Sequence, residues 1–283
     1  MRIFILMMLS AALTFAQAKP ADIVQQCQSI LKGAVHDRNP DGRKDAAEAL
    51  SLMGVRDNAL ELLAPMLDDH DVSVRLAVVA TLGDFKDTRT LPLLKKALQY
   101  PVPEVDFSAA KVLYQLHDPD GMGFLLDVVN KESKASSSYI SKEKRTALRM
   151  LHTPTKLFMF IGLQAVGFAP VPGLGFGLSS AQGILSASDS SARAASLLLV
   201  GGSRDPNLAE VVGSALSDKE WSVRAVGVHV VAMHPFPQFQ QNLVPLLDDK
   251  KTAVRVRAAA AYIRLSHSSK PATLPAKRTA GAL

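Results

Sequence analysis

Several residue types are scarce in this sequence of 283 residues, and each scarcity excludes a class of protein. The single cysteine excludes a disulfide framework and a cysteine-rich zinc module. Aromatic residues make up only 6% of the chain, which leaves little surface for stacking nucleic-acid bases. No segment alternates apolar and polar residues over the length of a strand. The hydrophobic content of 48% nevertheless excludes a disordered chain, so the protein folds mainly as helices.

The first 18 residues have the three parts of a secretory signal peptide. Met1 and Arg2 give a positive start, residues 3–15 carry no charge, and residues 16–18 read Ala-Gln-Ala, an A-x-A cleavage site. The apolar run is short for a bilayer-spanning helix, so an uncleaved anchor is the weaker alternative. We therefore expect export to the periplasm or the cell exterior. Loss of Arg2 lowers the formal net charge from +6 to +5.

The lone cysteine lies on the apolar face of a predicted helix. Ile23, Cys27, Ile30 and Leu31 occupy positions i, i+4, i+7 and i+8. An odd thiol in an oxidising compartment leaves pairing between chains as an alternative. The helical position favours a buried structural cysteine.

A repeat of about 31 residues runs through most of the chain. Arg193, Arg224 and Arg255 follow one another at intervals of 31 residues, and Arg43 and Arg75 are 32 apart. Each of these arginines has an apolar residue eight positions before it: Val35, Leu67, Leu185, Leu216 and Leu247. A sixth unit keeps the frame with Asp106 in the arginine position. Such a register is typical of a repeat array whose units bury their apolar faces on one another.

Each unit contains two predicted helices. The run after Arg75 is compatible with a helix that ends at Gly83, and another helix begins near Leu91. Pro92 is tolerated there because first-turn amides have no partner within the helix. Asp205 and Pro206 predict another helix start, as N-cap and first helical residue. The sequence therefore predicts an all-α protein, an α-solenoid of about six helix pairs.

This frame resembles the HEAT-repeat family, and within it the short repeats also found in phycobilisome-lyase-like proteins. The resemblance rests on a Leu-x-Asp-x5-Arg frame followed by small residues and a leucine, as in Arg43, Ala46, Ala49 and Leu50. It covers roughly residues 22–266 apart from one interruption. It implies a superhelix of HEAT-like helix pairs. It says little about activity, since the family consists mostly of interaction scaffolds with a few enzymes.

Aspartates stand six residues before the arginine in four units. The pairs are Asp37 with Arg43, Asp69 with Arg75, Asp218 with Arg224, and Asp249 with Arg255. The unit with Asp106 has Tyr100 in the aspartate position, so both members are absent together. The resemblance implies a ladder of such pairs along the stacked turns, because a guanidinium can bind a carboxylate and turn carbonyls at once. We expect each arginine to pair with the aspartate of its own repeat, instead of forming a row that binds phosphate.

An uncharged insertion interrupts the frame between Asp106 and Arg193. Residues 157–188 contain no charged side chain, and glycines together with Pro170 and Pro172 prevent a continuous spanning helix. Three interpretations stay open: a buried insert between half-arrays, an exposed patch for a protein or peptide, and shallow insertion into a membrane surface. The candidate contact residues for a partner or membrane are Phe158, Phe160, Phe168, Leu174 and Phe176.

The predicted organisation has five parts. Residues 1–18 are the signal peptide, residues 19–132 the N-terminal repeats, and residues 133–188 an irregular repeat with a loop and the Gly/Pro-rich insertion. Residues 189–266 are the C-terminal repeats, and residues 267–283 form a basic tail that we expect to be disordered.

The sequence contains no recognisable catalytic, cofactor-binding or metal-binding motif. Its seven histidines are scattered. The acidic run at residues 68–71 includes His70 but coincides with a turn between repeats, and the equivalent turns of other units are not ligand sets. The mixed charges along the array do not indicate nucleic-acid binding.

We therefore expect an exported scaffold that binds a protein or peptide and performs no catalysis. The alternatives are an enzyme or enzyme-accessory protein of the bilin-lyase-like kind, and a peripheral membrane protein that uses residues 157–177. A concave pocket joining His, Cys or acidic side chains from several repeats would favour the enzyme. An open groove lined by Leu, Val and neutral polar residues would favour the scaffold.

Overall fold

The computed structural model describes residues 19–100, 102–130, 184, 192–234 and 236–268, and all regular structure in these ranges is helical. The α-helices in the described ranges are α1 Pro20–Ala34, α2 Pro40–Leu50, α3 Asp57–Met66, α4 Val72–Asp84, α5 Leu91–Ala97, α6 Pro103–Gln115, α7 Pro119–Asn130, α8 Ala192–Val200, α9 Leu208–Ala215, α10 Trp221–Met233 and α11 Thr252–Ser268. Short 3-10 helices cover Ser51–Met53, Thr88–Thr90, Pro237–Phe239 and Gln241–Asp248. The predicted all-α class is confirmed.

Local sequence signals set the helix starts. Asn39 caps α2 by accepting a hydrogen bond from the Asp41 amide at 2.9 Å, and a proline follows the cap. Asp71 caps α4 in the same way, with its carboxylate 2.8 Å from the Ser73 amide. A capping side chain satisfies an amide that has no partner within the helix, so these turns fix where each second helix begins.

Three predicted boundaries differ from the structure. Helix α9 begins at Leu208, because Asp205 accepts from the Asn207 amide at 2.8 Å and forms a turn before the helix. Helix α4 continues to Asp84, one residue beyond Gly83. Helix α11 continues to Ser268, two residues beyond the predicted end of the repeats. Helix ends set by hydrogen bonding vary by a residue or two from sequence signals.

The second helix of each unit carries the frame arginine or Asp106, and these helices stack side by side. Helix α2 packs on α4 and α4 packs on α6, while α8 packs on α10 and α10 packs on α11. Thr81 of α4 donates a hydrogen bond to the Ala47 carbonyl of α2 at 3.0 Å, across one such interface. This stacking confirms the α-solenoid.

The first and last units of the described chain pack on each other. Helix α11 lies against both α1 and α2, so α2 has α4 on one side and α11 on the other. We call this contact between α11 and the pair α1–α2 the seam. The order of second helices through the seam is α8, α10, α11, α2, α4 and α6, which places the two ends of the repeat region in the middle of the stack.

The seam has an apolar core. Residues 258–263 of α11 are all fully buried, and Tyr262 lies there with no exposed surface. Ile23, Cys27 and Leu31 of α1 are buried in the same core cluster. Burying a side chain the size of leucine contributes about 1.5–3 kcal/mol, so the seam is a substantial part of the fold. The predicted burial of Cys27 is confirmed.

Several predicted segments lie outside the described residues. They are the signal peptide, the uncharged insertion except Ile184, with its contact residues Phe158, Phe160, Phe168, Leu174 and Phe176, and the tail from residue 269. Among the helices that the structure describes, none combines the length and the hydropathy needed to cross a bilayer.

Candidate functional site

Three arginines each hold the aspartate of the following unit. The pairs are Arg43 with Asp69, Arg193 with Asp218, and Arg224 with Asp249. Arg224 donates from Nε to Asp249 Oδ2 at 2.6 Å and from Nη2 to Oδ1 at 3.0 Å, a bidentate geometry. Arg43 holds Asp69 in the same way, at 2.6 Å and 2.9 Å. The ladder therefore crosses from one unit to the next.

The expectation that each arginine pairs with the carboxylate of its own repeat is wrong. Arg43 Nη1 donates to the backbone carbonyl of Asp37 at 2.8 Å, while the Asp37 side chain accepts from the Asn39 amide at 2.9 Å. Arg224 and Arg255 likewise reach the backbone carbonyls of Asp218 and Asp249, at 2.7 Å and 2.6 Å. Because each turn aspartate accepts the amide two residues on, the carboxylate is held in the turn and meets the arginine of the preceding unit.

Two ladder arginines have no aspartate partner in the described chain. Arg255 belongs to the last unit and donates instead to Thr252 Oγ1 at 2.9 Å. Arg75 faces the unit that carries Tyr100 in the aspartate position, and its guanidinium carbon lies 5.9 Å from the centre of the Tyr100 ring. Within the predicted set of eight ladder residues, Arg75 therefore departs most from the pattern.

A group of buried charged side chains crosses the seam. Arg257 of α11 donates from Nη2 to Glu48 Oε2 at 2.7 Å and from Nη1 to Asp45 Oδ1 at 3.4 Å. The side chains of Arg257 and Glu48 are 0% and 5% exposed, so water does not screen their attraction. Arg264, two turns further along α11, donates to the Leu52 carbonyl at 3.1 Å. These contacts fix the register of α11 against α2.

Burial changes the ionisation of Glu48 in the seam and of His229 in the neighbouring helix α10. Loss of hydration raises the pKa of Glu48 to about 7, although the nearby Arg257 acts in the opposite direction. Loss of hydration, together with the charge of Arg257, lowers the pKa of His229 in α10 to about 3. His229 is therefore neutral at physiological pH, whereas Glu48 titrates close to it.

The repeat register contains a signal for these residues that the motif search missed. Position five after the frame residue is occupied by Glu48 in the first unit, Lys111 in the third and His229 in α10. Burial also lowers the pKa of Lys111, to about 8. Aligning the units by their frame residue would have shown that three ionisable side chains share one helical position.

The geometry of this group fits a structural role better than a chemical one. A general acid or base needs access to a substrate, and the side chains that join α2 to α11 are enclosed by the seam. Among the residues that the structure describes, no three His, Cys, Asp or Glu side chains converge as ligands of a metal ion.

An open apolar groove lies between α8 and α9. It has a volume of about 560 Å³, and its lining residues include Leu197, Val200, Val211, Ser196 and Ser214. Val200 is 48% exposed and Val211 49% exposed. We call this feature the α8–α9 groove. Its aliphatic lining with neutral polar side chains is the arrangement that the sequence analysis associates with a scaffold.

The charges at the edge of the α8–α9 groove are partly paired. Arg193 holds Asp218, and its Nη1 atom also lies 3.5 Å from Glu220 Oε1. Glu210 is an exposed acidic residue of the lining. Hydrogen bonding from Arg193 lowers the pKa of Asp218, so this pair stays ionised at neutral pH.

Comparison with known proteins supports the repeat assignment. A family model described as HEAT repeats matches residues 27–113 and 60–136. Among solved structures, the chain is similar to human deoxyhypusine hydroxylase in complex with glycerol, at 18% identity and a TM-score of 0.35, over 88% of this chain and 100% of that chain. A likeness of this size says nothing about activity. No curated protein matches the sequence.

Proposed function

We propose that this chain, whose residues 27–136 match HEAT repeats, is a scaffold that holds an aliphatic segment of a partner protein in the α8–α9 groove. The observation that carries the proposal is the exposure of large aliphatic side chains at the groove. Val200 and Val211, which line the groove, are 48% and 49% exposed. Contact with an apolar partner would remove this surface from water, at a gain of about 25 cal/mol per Å².

The shape of the groove favours a short peptide segment over a flat protein surface. A concave site between two helices receives side chains at helical or extended spacing, as in other helix-in-groove interactions. Ser196 and Ser214 offer hydroxyl groups that orient such a segment through hydrogen bonds. We therefore expect a partner segment with two or three aliphatic side chains.

Selection of displayed random peptides on the full chain tests this proposal. We expect the selected peptides to be rich in Leu, Ile and Val and to lose binding to Val211→Asp, because the new carboxylate would lose hydration against the aliphatic side chains of the bound peptide. Leu126→Asp in α7 is the matched control, since Leu126 is equally exposed at 49%. Peptides that bind both variants equally, or a selection that enriches no aliphatic peptide, would contradict the proposal.

We also propose that the scaffold acts outside the cytoplasm, on the strength of its first 18 residues. Mass spectrometry of the protein from its native cells tests this directly. A mature N-terminus at Lys19 supports export, and a chain that retains Met1 in the cytosolic fraction contradicts it.

A further inference from the structure

Arg75 is the ladder arginine whose following unit is described but lacks the aspartate. The aspartate of the following unit pairs with Arg43, Arg193 and Arg224 in turn. Arg43 and Arg224 donate to it from both Nε and Nη2. Arg75 holds the same position in its unit, but the following unit supplies Tyr100. The chain itself therefore defines which ligand this arginine lacks.

The side chain of Arg75 is incompletely satisfied. Its Nε atom is buried and has no hydrogen-bond acceptor among the described residues. The Arg75 guanidinium group lies over the Tyr100 ring, with its carbon 5.9 Å from the ring centre, where the other units supply a carboxylate. A cation over an aromatic ring is held less strongly than a guanidinium group in a bidentate pair with a carboxylate.

The acidic group nearest to the Arg75 site makes its hydrogen bonds to other side chains. Asp68 is the nearby acidic group, and it accepts a hydrogen bond from Lys96 Nζ at 2.8 Å and another from the Tyr100 hydroxyl. The hydrogen bond from Lys96 lowers the pKa of Asp68, so that carboxylate remains an ion paired with Lys96. The partly exposed Arg75 attracts Asp68 through its charge, but the hydrogen bonds that Asp68 accepts come from Lys96 and Tyr100.

We propose that Arg75 is a docking point for a carboxylate of a partner, the side chain of Asp or Glu in an acidic peptide. The carboxylate would accept hydrogen bonds from the Nη1 and Nη2 atoms, because Nε is buried. A planar guanidinium suits this bidentate contact better than an ammonium group does. The site lies on α4 and is separate from the α8–α9 groove, so the inference does not depend on the proposed function.

Side-chain NMR of the full chain tests the proposal. The probe is a blocked Ala-Glu-Glu-Ala peptide, titrated while the arginine Nε–Hε signals are followed. We expect the Arg75 signal to shift and saturate, because its Nε belongs to the guanidinium group that binds the carboxylate. The signals of Arg43 and Arg224 should stay in place, because their guanidinium groups already donate to aspartates. An Arg75 signal that does not respond overturns the proposal, whatever the peptide does at other basic residues.

Tyr100→Asp is the decisive variant, because it restores the ladder carboxylate within the chain. It should occupy Arg75 and weaken peptide binding about tenfold or more, the loss expected for competition with an intramolecular carboxylate. Equal binding by this variant and the parent contradicts the proposal. Arg75→Gln, which removes the charge and keeps a similar length, should cause the same loss by calorimetry and serves if Tyr100→Asp does not fold.

Discussion

Glu48 and His229 both lie close to Arg257, and their ionisation has opposite effects on stability. The pKa of Glu48 in the folded protein, about 7, exceeds its ordinary value of 4.5. The stability that Glu48 contributes to the folded state is therefore fully present below pH 4.5 and is lost as the pH rises through 7. The pKa of His229, about 3, lies below its ordinary value of 6.5. The stability that His229 contributes to the folded state is present above pH 6.5 and is lost as the pH falls toward 3.

Between pH 4.5 and 6.5 we expect these two effects to cancel, so the free energy of unfolding of the parent changes little. Glu48→Gln keeps a hydrogen-bond acceptor for Arg257 but removes the titration. Its free energy of unfolding should rise with pH in this window, by about 1.4 kcal/mol per pH unit, because only the histidine effect remains. Urea denaturation at a series of pH values measures this slope.

His229→Gln is the complementary variant. Its free energy of unfolding should fall as the pH rises over the same window, because the glutamate effect then acts alone. If the free energy of unfolding changed with pH in the same way in both variants, Glu48 and His229 would not be buried in the folded protein.

The helices and their register follow from local signals, and the ladder pairing does not. Caps such as Asp71 and prolines such as Pro40 act on their own helix, so the sequence predicts where most second helices begin. The spacing of Asp37 from Arg43 is equally local and suggests a pair. The aspartate in fact meets the arginine of the preceding unit, as Asp69 meets Arg43. Which arginine it meets depends on how far one unit is displaced from the next. Sequence spacing does not contain this displacement.

Asp249→Asn tests the ladder between neighbouring units. Burial acts to raise the pKa of Asp249, but hydrogen bonds from Arg224 and the Lys251 amide outweigh it, so the pKa lies below its ordinary value. The variant retains the turn contact and loses the charge-assisted pair. We expect it to lower the free energy of unfolding by about 1.5–3 kcal/mol at neutral pH, measured by urea denaturation.

Asp37→Asn is the matched control, since Asp37 occupies the same turn position with no arginine partner in the described chain. This variant should lower the free energy of unfolding by less than about 1 kcal/mol, because asparagine caps a turn almost as well as aspartate. Equal losses for the two variants would show that the pairing between units adds nothing to stability.

At the scale of the whole molecule, the seam is the feature that the sequence could not predict. The repeat frame places each unit beside the next, but it does not say whether the array stays open or whether α11 returns to α1. The contact depends on accumulated rotation over several units, to which many small interfaces contribute. The sequence also does not predict the charged pair of Arg257 and Glu48, because these residues are 209 positions apart.

Cys27 offers a direct readout of the seam. It is fully buried, burial raises the pKa of its thiol to about 12, and so it should react slowly with thiol reagents. Ile263→Ala in α11 should accelerate the reaction, because a cavity that costs about 2–5 kcal/mol makes separation of α11 from α1 easier. The rate of labelling under native conditions measures this opening.

Leu113→Ala in α6 is the control, because Leu113 is as buried as Ile263 but lies outside the seam. It should lower overall stability by a similar amount and accelerate Cys27 labelling much less. Equal acceleration would mean that Cys27 is exposed only when the whole protein unfolds.

The position of the seam also limits how this protein can grow or be modified. Helices α2 and α11 run parallel, since Arg257 and Arg264 of α11 meet Glu48 and Leu52 in the same order along the chain. Helix α11 occupies the face of α2 opposite α4 and, on its own other side, packs on α10. A repeat duplicated before Pro20 or after Ser268 would find both neighbouring faces already occupied. Lengthening by gene duplication, or fusion of a rigid partner that continues the array, has to enter within the chain, where it leaves the seam intact.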